Sequence, residues 1–353
     1  MSNSRKPFVQ IFHLVTQHWF LCGLMLVIPA GILLGTSETA REMADSLRKI
    51  PGTLLTAVIL FLMSITLDSS RLVASVRSPK AVLLATLINQ LIMPLMAMPI
   101  LPLISSPDLR LGLLIASIVP CTMAAASVWT RMANGNDAVS LLVTLLTNSL
   151  CFLVIPIWLS FAVSGQQLNS VAETLAFTPM AARLVKGAVL PVFFGQLVRL
   201  IPHIRSEVDR RKKVYSNSAQ IILLFIVYMS ALTGGTQFSE DAKPPDVSVF
   251  LTVLLACNAL HICGMIVCSL ACYFFSIRPE DKIAVIFAGS QKTLPVGVAV
   301  AQASGVPLAI VPMLMFHASQ LFVDTWVAAR IALPRTSDRT DAGETKNCSE
   351  QQS

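Results

Sequence analysis

The chain has 353 residues, of which 54% are hydrophobic and only 13% charged, and its mean hydropathy is +0.71. A soluble domain carries about twice that charged fraction, so water-soluble folds are excluded first. The net charge of +7 does not indicate nucleic-acid binding, because most basic residues sit in short gaps between apolar runs, as in cytoplasmic loops of membrane proteins.

An apolar segment of about 20 residues crosses a bilayer as a helix, the form that satisfies its backbone internally. The hydropathy pattern predicts ten such spans, at 17–35, 52–70, 81–104, 109–133, 137–162, 178–200, 215–236, 247–275, 282–303 and 306–332. Arg5 and Lys6 ahead of the first would also suit a cleaved signal peptide, but the apolar stretch 19–34 is longer than a typical signal core. Its loss would also spoil the symmetry of the spans. Seven of the eight cysteines (Cys22, Cys121, Cys151, Cys257, Cys263, Cys268 and Cys272) fall inside apolar segments, where cysteine acts as a small hydrophobic residue.

With both termini placed in the cytoplasm, 18 of the Lys and Arg residues lie in inside segments and 5 in outside ones. That asymmetry favours this orientation, and an even number of spans requires both termini on one side. Arg41, Arg48 and Lys49 in the first outside loop run against the rule, diluted by Glu38, Glu42 and Asp45. The basic loop around Arg210, Arg211, Lys212 and Lys213 reads as a topology signal, with binding of anionic lipid or a partner as the alternative. The residues after Leu333 are polar and aperiodic, as in a disordered tail.

Five spans on either side of residue 165 suggest a repeat, and an odd-numbered repeat must insert the second time upside down. Spans 4 and 9, fourth in each half, both carry interruptions. Span 4 contains Pro120, which removes a backbone donor, followed by the small polar residues Thr122 and Ser127. Span 9 contains Gly289 and then Ser290-Gln291-Lys292-Thr293 at mid-span; Thr293 can cap a new half-helix whose first turn tolerates Pro295. Two ordinary kinks are the bland alternative, and a shared position makes two broken helices the preferred reading. A broken helix exposes N–H groups and about half a positive charge at its new start, and frees carbonyl oxygens at its new end. An anion and a cation can thus share one crossover.

Lys292 stands about ten residues from either end of its span, where an ionised side chain costs about 2.5–3.5 kcal/mol unless protein or water surrounds it. Snorkelling to the headgroups is the competing reading. Further polar groups recur at helical spacing: Asn89 and Gln90 before Pro94; Ser140, Thr144, Thr147 and Asn148 in span 5; His317, Gln320 and Asp324 in span 10. Each stripe suits inter-helix hydrogen bonding as well as ligand binding. His261 with Cys257, Cys268 and Cys272 spreads over four turns, too far for a metal set.

The stretches TLDSSRL…RSPKAVLL, NQLIMP, the run from Val119-Pro120 to RMANGN, and above all GSQKTLPVGVAV resemble the bile acid:sodium symporter superfamily, in particular its sodium/bile acid cotransporter 7-like branch. The likeness runs from about residue 15 to 333. It implies ten helices in a panel and a core domain, with helices 4 and 9 crossing beside two sodium sites. Of the residues implied for those sites, Gln90, Ser140, Thr144 and Gln291 match. A Ser-Asn pair falls on Ala126 and Ser127, one residue is inserted after Pro120, the shared acid falls on Phe287, and an asparagine is Lys292. A lost carboxylate and an added ammonium contradict ordinary sodium binding. The Lys292 ammonium is therefore read as taking the electrostatic part of a sodium ion, which puts sodium dependence in doubt and opens proton coupling or uncoupled passage.

The sequence thus predicts an all-α membrane protein of two inverted five-helix repeats, 17–165 and 166–333, between a cytoplasmic segment 1–16 and a tail 334–353. It predicts a multi-pass carrier of the cell membrane, moving a small organic anion by alternating access, without cofactor, coupled if at all to sodium or protons. The candidate substrate- or ion-binding residues are Gln90, Thr122, Ser127, Ser140, Thr144, Ser290, Gln291, Lys292, Thr293 and His317, of which Gln90, Ser127, Ser140, Thr144 and Gln291 could form a degenerate sodium site. No serine–histidine or paired-aspartate motif at mid-span suggests an enzyme. A non-transporting regulator or sensor on the same fold is the rival reading.

Overall fold

The structure is a computed structural model that describes residues 19–35, 37, 51–68, 78–164, 175–240 and 246–332. The predicted end segments 1–16 and 334–353 lie outside the described residues, as do the loop charges Arg41, Arg48, Lys49, Arg71, Arg77 and Lys243. What is described is helical, with no strand among the described residues.

Helix α1 is Trp19–Gly35 and α2 is Gly52–Ile65. Span 3 comprises α3 (Pro79–Leu87), a π-helical turn (Ile88–Ile92) and α4 (Met93–Ala97). Span 4 is divided into α5 (Pro107–Ile118) and α6 (Ala125–Met132), and α7 is Asp137–Ser164. Span 6 comprises α8 (Phe177–Leu184), a second π turn (Val185–Val189) and α9 (Leu190–Arg199). Then come α10 (Pro202–Arg210), α11 (Lys212–Glu240) and α12 (Val247–Phe274). Span 9 is divided into α13 (Pro279–Ser290) and α14 (Leu294–Ser304), and α15 is Ile310–Ile331. Gly305, at φ 71°, closes α14 in the left-handed region that suits glycine.

Each predicted span coincides with helix, but by length and composition seven helical stretches among the described residues are fit to cross a membrane, α1 and α2 being shorter apolar helices. Span 4 falls short because it is two pieces of 12 and 8 residues. The basic loop after span 6, read as a topology signal, holds the short helix α10. Its i,i+3 and i,i+4 pairs, Arg210 and Arg211 on Glu207, explain why so polar a segment is helical.

The surface is the inverse of a soluble protein's. Met25, Leu26, Leu33, Leu255 and Phe161 are each at least 70% exposed, whereas Asn89, Asn148, Gln291, Lys292, Gln320 and Asp324 are wholly buried. Exposed apolar area on that scale is stable only against lipid.

Two sets of helices pack together. In one, α1 lies along α11 and α2 along α8–α9. Small residues permit the first contact: a Cβ on Gly35 would stand 2.3 Å from the Leu232 oxygen, and one on Gly235 2.2 Å from that of Ile32. Polar bonds fix the second, where Ser64 Oγ donates to the Val192 carbonyl at 2.7 Å and Arg199 to that of Ile65 at 2.9 Å. In the other set α3–α4, α7, α12 and α15 surround the two divided spans. The start of α13 is pinned there: Ser78 Oγ and Asn136 Nδ2 each donate to the Asp281 carboxylate at 2.7 Å, and the Asn136 N–H donates to the Glu280 carbonyl at 2.9 Å. The sets meet where α7 lies against α8 and the second π turn, and where α14 lies against α2 and α11, with Gln302 Nε2 donating to Ser230 Oγ at 3.1 Å.

Candidate functional site

The two interruptions touch. Helix α5 ends at Val119 and α13 at Gln291, both of which turn extended (ψ 157° and 148°), and the Thr293 N–H donates to the Pro120 carbonyl at 2.8 Å. The break in span 4 runs from 119 to 124 and that in span 9 from 291 to 293. Pro295 sits in the first turn of α14, as its fixed φ allows. The predicted cap is corrected: Thr293 occupies the N-cap position with extended φ/ψ, but its hydroxyl makes no capping bond, and its backbone N–H is spent on Pro120.

Buried backbone groups at a break need partners, and the polar stripes supply them. From α7, Asn148 Nδ2 donates to the Cys121 carbonyl (2.9 Å), Thr144 Oγ1 to the Thr122 carbonyl (3.0 Å), and Thr147 Oγ1 accepts from the Cys121 N–H (3.3 Å). From α15, Gln320 holds the Lys292 peptide unit from both sides, accepting its N–H and donating to its carbonyl, each at 3.0 Å. Thr122 joins the breaks: its hydroxyl accepts from the Ala126 N–H, starting α6, and donates to Gln291 Oε1 at 2.5 Å.

A buried polar relay continues from there. Gln291 Nε2 donates to Asp324 Oδ2 at 2.5 Å. Asp324 Oδ1 faces His261 Nε2 at 2.9 Å, and His261 Nδ1 faces the Ser290 carbonyl at 3.3 Å. Asp324 and Gln291 are 0% exposed and His261 is 1% exposed. The carboxylate missing at Phe287 is thus matched by one reaching the crossover from another helix. His261 is committed to this relay and Cys257 Sγ donates to the Pro312 carbonyl at 3.5 Å, which gives that group a structural use.

Lys292 is 0% exposed. Its ammonium donates to the Asn89 carbonyl (2.6 Å), the Val119 carbonyl (3.0 Å) and Asn89 Oδ1 (3.4 Å). The first acceptor is free because of Pro94. A proline has no N–H, so in the π register the carbonyl five residues back, Asn89, lacks a helical donor, as does Gln90 four residues back. Trp158 Nε1 takes the Gln90 carbonyl at 3.0 Å. The second acceptor is the open carbonyl end of α5. Asn89 Nδ2, meanwhile, faces the carbonyls of Ala288, Gly289 and Gln291 at the end of α13.

The structure therefore brings Thr122, Ser290, Gln291, Lys292 and Thr293 together, with His317 beside them through Gln320 Nε2 at 2.9 Å. Thr144 reaches this group through the Thr122 carbonyl, and the remaining candidates stand apart from the relay. Ser140 pairs with Thr130 at 2.7 Å, Ser127 donates to the Ala124 carbonyl at 3.0 Å, and Gln90 Nε2 donates to the Thr147 carbonyl at 3.0 Å. Gln90 Oε1 has no partner, and the residue lines an apolar groove of about 600 Å³ with Leu87, Leu150 and Trp158. Asn89, His261, Gln320 and Asp324 belong to the site though absent from the predicted set. Their i,i+3 and i,i+4 spacing marked the α15 pair as one face, but only packing shows that this face meets the break.

A sequence model of the SBF-like CPA transporter family matches residues 18–333. An uncharacterised protein of Pseudomonas aeruginosa is 24% identical over 285 residues, 79% of this chain and 83% of its own length. Sodium/bile acid cotransporter 7-B of Xenopus laevis is 22% identical over 324 residues, covering 87% and 89%. Sodium/bile acid cotransporter 7 of Rattus norvegicus is 21% identical over 348 residues, covering 91% and 97%.

Proposed function

We propose, because the chain belongs to the SBF-like CPA transporter family, that it is a ten-span carrier moving a small organic anion across the cell membrane by alternating access. The coarser part needs no proposal: it is a multi-pass membrane transporter of that family, whose named relatives are cotransporters and not enzymes.

The inverted repeat, 17–165 against 166–333, is supported by paired features. The first halves of both divided spans are 12 residues long and start at a proline followed by an acid, Pro107-Asp108 and Pro279-Glu280. Helix contacts also come in matching pairs under exchange of the halves: span 1 with 7 and span 6 with 2; span 4 with 10 and span 9 with 5. The Lys and Arg asymmetry supports both termini on the cytoplasmic side. An anionic cargo is supported by the starts of α6 and α14, where the helix dipole favours negative charge, and by the bile-acid names of the relatives.

The observation that carries the reading is the contact of the two breaks, Thr293 on Pro120, with an ammonium packed beside it. The test is counterflow in proteoliposomes, using labelled organic anions chosen by their thermal stabilisation of the purified protein. Saturable exchange of at least one anion is expected. An anion that binds and stabilises but is never exchanged would replace the carrier with the sensor reading.

A further inference from the structure

We infer that Lys292 is a covalently tethered cation: its ammonium permanently fills an oxygen cage that would otherwise bind a free monovalent cation. The inference deepens the carrier reading and rests on it only for the consequence for transport.

The cage is built of acceptors alone. The Val119 carbonyl closes α5, where the last carbonyls have no helical donor and the helix carries about half a negative charge. The Asn89 carbonyl is released by the π turn and Pro94, and Asn89 Oδ1 stands beside it. Converging carbonyl oxygens can replace the hydration shell of a monovalent ion, as in channel filters. Here an ammonium does so, on a stem rooted in the span 9 break, where Gln320 fixes its peptide unit.

Two alternatives fail on geometry. A snorkelling lysine is exposed at its tip, and this one is 0% exposed. An anion-binding lysine needs a spare donor, whereas the three N–H bonds of the ammonium match the three acceptors already present.

Of the residues expected to hold sodium, Gln90 alone keeps an unpartnered oxygen, Oε1, among the described residues. Ser140 is paired with Thr130, Thr144 donates to the Thr122 carbonyl, and Gln291 Oε1 is taken by Thr122. Phe287 is apolar, and both Asp324 oxygens are engaged by Gln291 and His261. A hard cation requires several oxygens at once. An ion that cannot leave its site cannot be carried, so a sodium gradient is not what drives this protein.

The test needs no substrate. The thermal midpoint of the purified full-length protein is measured in sodium, methylammonium and N-methylglucamine chlorides at equal ionic strength. For the wild type the midpoint is expected to be the same in all three. Lys292→Ala should melt lower and be raised saturably by methylammonium and sodium, but not by the bulkier N-methylglucamine. Lys292→Met, whose apolar stem fills the cage, should melt lower and respond to none.

A saturable sodium response in the wild type overturns the inference, as does a folded Lys292→Ala that ignores every small cation. If Lys292→Ala cannot be purified, sodium titration of the wild type decides alone, silence supporting the tethered cation and a response refuting it. Counterflow can fail while the cage result holds, in which case the carrier reading falls and the cation assignment stands.

Discussion

Lys292 and Asp324 are both 0% exposed and reach the same break, Asp324 through the Gln291 side chain and Lys292 by its bonds to the Asn89 and Val119 carbonyls. If they balance each other's charge, neutralising either one strands the other. Asp324→Asn isolates the charge, because one amide flip keeps both bonds: its oxygen accepts from Gln291 Nε2, and its N–H₂ donates to His261 Nε2 while His261 Nδ1 donates to Ser290. Removing one partner of a buried ion pair costs about 3–5 kcal/mol. Lys292→Met should cost at least as much, since an unsatisfied buried acceptor adds about 1–3 kcal/mol. The double variant restores neutrality and should fall short of the summed losses by about 1–3 kcal/mol, the coupling expected of residues in one network. Equilibrium unfolding in mixed detergent and dodecyl sulfate measures all four proteins. Additivity within about 0.5 kcal/mol would show that the two charges do not sense each other, and the charge balance would be wrong.

Two further outcomes follow from the packing. Asn148→Leu removes the donor that serves the Cys121 and Thr144 carbonyls and should cost about 1–3 kcal/mol in the same unfolding assay, an unchanged curve showing that the break is satisfied some other way. Gly235→Val sets a Cβ 2.2 Å from the Ile32 oxygen and must push α1 off α11; a loss of about 1–3 kcal/mol is expected, and a neutral effect would place the contact elsewhere.

The span 9 break is legible in the sequence because a run of four polar residues inside an apolar span is hard to fit into an unbroken helix. Pro120 is a weaker sign, since Pro29 and Pro156 sit inside the unbroken α1 and α7. Pro120 and Ser290 to Thr293 lie within or beside the gaps that the helices show. The stripes are legible as stripes but not by target. Helical spacing tells which side chains share a face, whereas the partner of Asn148 or Gln320 depends on which helix arrives there. The carboxylate escapes a sequence reading for the same reason: alignment along span 9 ends at Phe287, while Asp324 enters from span 10. The π turn of span 3 has a signal in Pro94, but its effect depends on whether another chain segment supplies a donor to the stranded carbonyl. Here that donor is Lys292, 203 residues away along the chain. Ser127 and Ser140 cannot be ranked as ligands from sequence, because a hydroxyl looks alike there whether it faces a solute, its own helix or a neighbouring one.

The stitching of Asp281 to Ser78 and Asn136 limits how this protein can rearrange. It fastens the ends of three neighbouring helical segments at one face, while Thr122, Gln291 and Lys292 fasten the middle. Helices riveted at two heights resist sliding past one another singly, so the fastenings bind them into one slab. The seam between slab and remainder is fastened more lightly in polar terms: α7 rests on α8, Gly52 abuts Gln302, and one amide–hydroxyl bond reaches Ser230.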